Sequence, residues 1–332
     1  MLALVTGGGG FLGRAIVEQL LDRGYQVRSI GRGAYPELEA LGVEVVRADL
    51  RDSASVADAC QGIDCVFHTA ALAGIWGTWN TYHQINVQGT LNVLAGCRQQ
   101  QVPRLVYTSS PSVTFDGFDQ CGCNEEAPYA TCWLAHYPHS KALAEQAVLT
   151  ANGKYDLTTC ALRPHLIWGP RDGHLVPRLI QRARSGRLRR VGCGTNRIDI
   201  IYIENAAIAH LQAADVMRQH DSPVAGKAYF LSQGEPVNCW QWIDQLLELA
   251  SLPPVQKSVS LATARRVGAI FEGLYGALRL PGEPPMTRFL AAQLGLSHWF
   301  NISAAQQDFG YQPQVTTAEG MRRLGDWLDQ TN

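Results

Sequence analysis

Thr6-Gly7-Gly8-Gly9-Gly10-Phe11-Leu12-Gly13 is the stretch on which the fold turns. Before it, Leu2–Thr6 is a short apolar run of strand character. After it, Gly13–Arg23 carries Ile16/Leu20 and Val17/Leu21 pairs at helical spacing and stops at Gly24, a natural helix terminator. A strand, a glycine turn and a helix start in that order form a phosphate cradle. Gly7 permits the tight turn, Gly10 lets the backbone approach a pyrophosphate, and Gly13 lets the helix pack closely on the strand. The helix start around Phe11 and Leu12 offers unpaired N–H groups and the positive end of the helix dipole.

Outward from this loop, apolar runs alternate with helical segments. Gln26–Ile30, Val43–Arg47, Cys65–His68 and Arg104–Thr108 read as further strands, and Ile85–Gln100 as a helix between them. Thr158–Leu162 and Lys227–Leu231 add a sixth and a seventh strand. The alternation predicts an α/β protein with a Rossmann-type doubly wound parallel sheet. The later chain reads as mainly helical, with Leu175–Leu188, Trp240–Ala250 and Thr317–Leu328 as helices. The expected division is a dinucleotide-binding domain over 1–170, with returns to the sheet around 197–233. A smaller, mostly helical substrate-binding region then occupies 171–332. No internal repeat or low-complexity segment interrupts the 332 residues.

Composition narrows the partners. A net charge of -1 argues against nucleic acid, whose phosphates call for a basic excess. The nine cysteines are scattered, form no C-x-x-C pair and read as reduced thiols of a cytoplasmic protein, with no metal site. No basic segment precedes the first strand, so no secretory signal is expected. Val267–Leu280 is the most apolar stretch, but Glu272 and Arg279 interrupt it. It falls short of the roughly 20 apolar residues of a membrane span and suits instead a lipid surface or the cover of an apolar pocket.

The strand-two end discriminates between the two nicotinamide dinucleotides. An NAD site carries a carboxylate there for the ribose 2′-hydroxyl. This chain has Gly31-Arg32-Gly33. Arg32 is suited to a 2′-phosphate, which points to NADP(H); an exposed surface arginine is the competing reading. Arg28 is a weaker second candidate. Asp49, followed by Leu50, either accepts from the adenine amino group or caps the next helix. Ala70-Ala71 leaves room where a cofactor crosses the sheet.

The chemistry is expected in Tyr137-Pro138-His139-Ser140-Lys141, where Tyr137 and Lys141 share one helix face. A phenol titrates near pH 10, and a nearby ammonium lowers that value. Tyr137 can then exchange a proton with a carbonyl or hydroxyl oxygen, and Lys141 can also bind ribose hydroxyls. Thr108-Ser109-Ser110 follows strand five, at the sheet end where ligands bind. Ser110 is the first choice for the hydroxyl that steadies the substrate oxygen; Ser109 is the alternative, and Ser112 ranks below both.

With these pieces in place, the chain resembles the extended short-chain dehydrogenase/reductases, in their 3β-hydroxysteroid dehydrogenase-like branch. The likeness runs through Thr6–Gly13, Val66–Ala71, Asn86-Val87-Gln88-Gly89-Thr90, Tyr107–Ser110, Tyr137–Lys141, Leu162-Arg163-Pro164 and Trp168-Gly169-Pro170. It implies that Asn86 braces the active site, that Arg163 and Pro164 contact the cofactor near its carboxamide, and that Asp199, Tyr202 and Asn205 join the two regions. It also implies a homodimer. Within the branch the chain is similar to bacterial reductases of long-chain olefin formation, on stretches such as Arg32–Pro36, Ala73–Gly77, Leu278–Glu283 and Ser297–Phe300. That likeness implies a long-chain β-keto or β-hydroxy acid substrate and association with other enzymes of olefin formation.

Phe271, Leu274, Tyr275, Leu278, Trp299 and Phe300 are candidates for an apolar pocket, with plain core packing as the alternative. The arginine run from Arg178 to Arg190 suits a carboxylate, a lipid surface, a partner or simply solvent. His165 and His174 read as structural histidines near the pocket mouth. A steroid dehydrogenase and a sugar-nucleotide epimerase are the rival enzymes. A non-catalytic cofactor sensor is the rival from another class, against which the Tyr137, Lys141 and serine set argues.

Overall fold

The computed structural model describes residues 1–331. Seven parallel strands form the central sheet. They are β1 (Leu2–Thr6), β2 (Gln26–Gly31), β3 (Glu44–Arg47), β4 (Cys65–His68), β5 (Arg104–Thr108), β6 (Thr158–Pro164) and β7 (Ala228–Leu231). Their order is β7-β6-β5-β4-β1-β2-β3. The chain therefore reverses direction across the sheet between β1 and β4, and the crevice above that switch point is where such sheets take ligands.

Both faces of the sheet are apolar because both are covered. Ala3, Val5, Phe67, Val106 and Leu162 enter one core cluster; Leu4, Val66, Leu105, Tyr107 and Ala161 enter the other. This is the strand period of two seen from both sides. Helices α1 (Phe11–Asp22), α2 (Ser53–Ala59), α3 (Gly89–Gln99) and α4 (His136–Ala151) belong to the expected βαβ framework. Ahead of α3, His83–Gln88 is wound as a π-helix, a form that recurs at functional sites.

The later chain supplies α5 (Leu175–Arg184), α6 (Ile203–Val216), α7 (Cys239–Leu249), α8 (Leu261–Leu278), α9 (Arg288–Gly295) and α10 (Thr317–Thr331). Helix α5 stops short of the expected Leu188 because Gly186 takes a left-handed conformation. A four-stranded sheet, also outside the sequence reading, joins Gln120–Cys123, His298–Phe300, Arg197–Ile198 and Val237–Asn238. It carries His298 to the edge of the crevice.

Helix α8 departs from expectation. Of its residues only Ala264 and Gly268 are buried. A Cβ at Gly268 would stand 2.6 Å from the backbone of Thr287, so the helix lies down on its small residues. Ile270 and Leu278 are 69% and 62% exposed. The apolar candidates Phe271, Leu274, Tyr275 and Leu278 are not among the residues lining the cavity at the switch point of the sheet. No helix among the described residues is long and apolar enough to cross a membrane.

Candidate active site

A cavity of about 700 Å³ opens above the switch point. Its floor at one end is the glycine loop. Gly7 has φ +71° and its Cβ position is 3.0 Å from Ala70 Cα, while a Cβ at Gly13 would stand 2.2 Å from Gly7 O. Any side chain at either place would break the turn. The loop is tied to the end of β4: Ala70 N donates to Thr6 Oγ1 at 3.1 Å, and Thr6 Oγ1 meets His68 Nδ1 at 2.7 Å. No side chain caps α1, whose start at Gly10 faces the cavity with Phe11, Leu12 and Gly13. A cradle that no Cβ can enter, with free N–H groups above it, fits the phosphates of a dinucleotide.

The next section of wall holds Arg32, Asp49 and Leu50. Arg32 is exposed and forms no salt bridge among the described residues. Arg28 is directed elsewhere: it pairs with Glu44 at 2.8 Å and donates to the carbonyls of Ala59 and Gln61. Asp49 is clasped by Arg51 at 2.7 and 3.0 Å, and these bonds hold its carboxyl below the usual range. Tyr35 was missed as a wall residue. Its ring lies over the loop, 2.1 Å from where a Cβ at Gly9 would be, so any side chain at Gly9 would have to displace this aromatic cover.

Tyr137 and Lys141 sit in the first turns of α4, and both line the cavity with Ser109 and Ser110. Lys141 Nζ donates to Thr108 O at 2.5 Å and lies 4.2 Å above the Tyr107 ring. Burial pulls its ammonium down to about 7. Burial likewise pushes the Tyr137 phenol up to about 12, opposed only by a hydrogen bond with Ser110. The sequence predicts a phenol lowered by the lysine together with a positive nicotinamide ring. Among the chain's own groups, desolvation, which weighs against any buried charge, outweighs the lysine. Ser110 Oγ also meets Ser112 Oγ at 2.8 Å, so these two hydroxyls act as one unit. Ser109 is 4% exposed and its hydroxyl has no partner.

Asn86, inside the π-helix, holds three groups together. Its Oδ1 accepts from Leu72 N at 2.7 Å, and its Nδ2 donates to Leu72 O and to Ser140 Oγ at 3.1 and 2.9 Å. The wall Ala70–Ile75 is thereby fixed to the helix bearing Tyr137. Pro164 lines the cavity, but Arg163 does not. Successive strand residues face opposite ways. Arg163 turns from the cavity to Glu145 of α4, with contacts of 2.6 and 3.0 Å at 4% and 0% side-chain exposure. Asp199, Tyr202 and Asn205 also lie away from the cavity. Asn205 ties Gln233 to Val315, as a joining residue would.

A histidine pair closes the far wall. His298 Nε2 meets Gln293 O at 2.8 Å, and His298 Nδ1 meets His165 Nε2 at 2.7 Å. A carbonyl only accepts, so His298 donates from Nε2 and accepts at Nδ1, and His165 donates. Burial holds both rings below the usual histidine range, hence neutral. The apolar surface comes from Leu175, Leu179, Leu188, Phe115, Phe289 and Leu294, with Phe300 as the one aromatic candidate retained. Trp299 instead packs under Gly122.

Known proteins place the chain in a family. Residues 4–261 match the model of the 3-beta hydroxysteroid dehydrogenase/isomerase family. The chain is 51% identical over 327 residues to a 2-alkyl-3-oxoalkanoate reductase of Stenotrophomonas maltophilia, covering 98% of each chain. It is 33% identical to a sterol-4-alpha-carboxylate 3-dehydrogenase, decarboxylating, of Mus musculus, covering 96% of this chain and 88% of that one. Among solved structures, MoeE5 in complex with UDP-glucuronic acid and NAD superposes with a TM-score of 0.77 at 25% identity over all of both chains. The chain belongs to the 3-beta hydroxysteroid dehydrogenase/isomerase family and is an oxidoreductase of the extended short-chain dehydrogenase/reductase type, acting on hydroxyl and keto groups.

Proposed function

We propose that the chain uses NADPH to reduce the 3-keto group of a long-chain 2-alkyl-3-oxoalkanoate to the 2-alkyl-3-hydroxyalkanoate. The observation that carries this is a proton-donor set, Tyr137 with Ser110, opening onto a wall of leucine and phenylalanine side chains. The 51% identity to a reductase of that name supports the substrate class. The dinucleotide would rest its phosphates on Gly7, Gly10, Phe11, Leu12 and Gly13, pass Ala70 and Leu50, and end near Pro164. It would supply hydride to the substrate carbon.

Tyr137 is the acid. A phenol pushed up to about 12 is fully protonated at neutral pH, the state needed to give a proton to a ketone oxygen. Ser110, supported by Ser112, donates to the same oxygen as charge develops. Lys141, held by Thr108 O, keeps a donor for ribose hydroxyls. Arg32 takes the 2′-phosphate, and Tyr35 covers that end. The product suits subsequent β-lactone formation and alkene release.

A sterol reading has its own support in the 33% identity to the Mus musculus enzyme. Turnover of the synthetic 3-keto acid with NADPH and NADH, with a 3β-hydroxysteroid and NAD or NADP in parallel, separates the two. Acid turnover with NADPH preference is expected. Activity on the steroid alone rejects the acid.

A further inference from the structure

The cavity has a polar feature that the proton-donor set leaves unused. Arg178 and Arg182 stand one turn apart on α5, and both line it. Arg182 forms no salt bridge among the described residues, and its guanidinium is pulled down by burial and then by the charge of Arg178. Arg178 pairs with Glu283. Glu283 lies in Leu280–Pro285, the link between α8 and α9.

That carboxylate lies near the Tyr82 hydroxyl. A Cβ at Gly74 would be 3.4 Å from Glu283 Oε1 and 3.2 Å from the Tyr82 hydroxyl. The Tyr82 ring stands 6.5 Å from the Tyr137 ring. The Tyr82 phenol is pushed up to about 12 by burial and then by Tyr137, and Arg178 works against both. Arg178 and Tyr137 thus both act on the Tyr82 phenol, and both line the cavity. The other non-histidine cations of the cavity serve elsewhere: Arg32 is at the glycine-loop end, and Lys141 is held by Thr108 O.

We propose that Arg178, backed by Arg182, is the receptor for the carboxylate of the substrate, and that Glu283 is an internal carboxylate occupying it until substrate arrives. The inference rests on the 2-alkyl-3-oxo acid reading above. In such an acid the carboxylate is two carbons from the reacting carbon, so its receptor must flank the proton donor. A guanidinium fork fits a carboxylate with paired, charge-assisted bonds. Exchange of one carboxylate for another keeps the half-exposed Arg178 fork paired throughout. The displaced Glu283 returns to water, which frees the Leu280–Pro285 link as the acid enters.

The test compares a 2-alkyl-3-hydroxyalkanoate with its methyl ester, in the oxidative direction with NADP⁺. Wild type is expected to prefer the acid. Arg178→Gln is expected to raise the KM for the acid roughly 10- to 100-fold while leaving that for the ester alone, as loss of a charge-assisted bond implies. Arg178→Lys restores part of the preference. Glu283→Gln removes the competitor and lowers the KM for the acid. Equal effects of Arg178→Gln on acid and ester, or none on either, overturn the proposal. If wild type oxidises neither compound but oxidises a steroid, the functional reading fails by itself. Equilibrium binding of a long-chain 2-alkyl alkanoate then decides the receptor, which fails if Arg178→Gln binds it as tightly as wild type.

Discussion

Glu145→Gln tests how the proton donor is held. Glu145 and Tyr137 share α4, and Arg163 precedes Pro164 on β6, so the Glu145–Arg163 pair pins the helix bearing Tyr137 to the strand bearing Pro164. The pair is almost fully enclosed, with Arg163 against the Phe230 ring at 4.9 Å and Tyr129 Oη donating to Glu145 Oε1 at 2.6 Å. A glutamine amide preserves the shape but turns one acceptor into an N–H₂ facing an Arg N–H. It leaves a buried cation without a counter-charge, a loss of about 3–5 kcal/mol. With a urea slope of about 3 kcal/mol/M, the upper end of the usual range, the midpoint falls by about 1 to 1.7 M. Glu145→Gln with Arg163→Met removes the stranded charge and is expected to recover most of the loss. Urea unfolding followed by tryptophan fluorescence reads all three proteins. A single-variant shift below about 0.3 M, or a double variant no better than the single, would refute the reasoning.

Three shorter predictions concern the site itself. Tyr137→Phe removes the acid while preserving the ring, so turnover should fall by about 10²–10⁴-fold, with NADPH still bound by fluorescence titration; near-normal turnover would end the assignment. Arg32→Gln should weaken NADPH roughly 10- to 100-fold and leave NADH unchanged, by titration of each dinucleotide; equal weakening of both would show Arg32 to be indifferent to the 2′-phosphate. Lys141→Met should stabilise the cofactor-free protein in a pH-dependent way. The folded lysine is pulled down to about 7, so between about 7 and its ordinary value near 10.4 the unfolded chain binds more protons, and wild type gains stability as pH rises. The advantage of methionine is therefore full below pH 7 and fades towards pH 10; a constant difference in Tm across that range would contradict it.

Legibility in the sequence followed the range of each physical cause. The glycine loop could be read because its demands are local: Gly7 needs its left-handed turn, and Gly13 touches a backbone six residues away. The sheet could be read because β-branched runs separated by helical periods leave few topologies. Tyr137 and Lys141 could be placed on one face because helical spacing alone puts them there. Tertiary structure decided what depends on distant partners. The face of β6 that lines the cavity excluded Arg163 and kept Pro164, since Glu145 waits behind. The His165–His298 pair joins residues 133 apart, and the Arg178–Glu283 pair joins α5 to a loop that sequence gave no reason to bring near. Helix α8 turned its apolar side outward because Gly268, not its large residues, fits against Thr287. The proton affinity of Tyr137 reversed the expected order of causes. Residue identity sets a group's ordinary pKa, but desolvation is the summed effect of every neighbour the fold places around it.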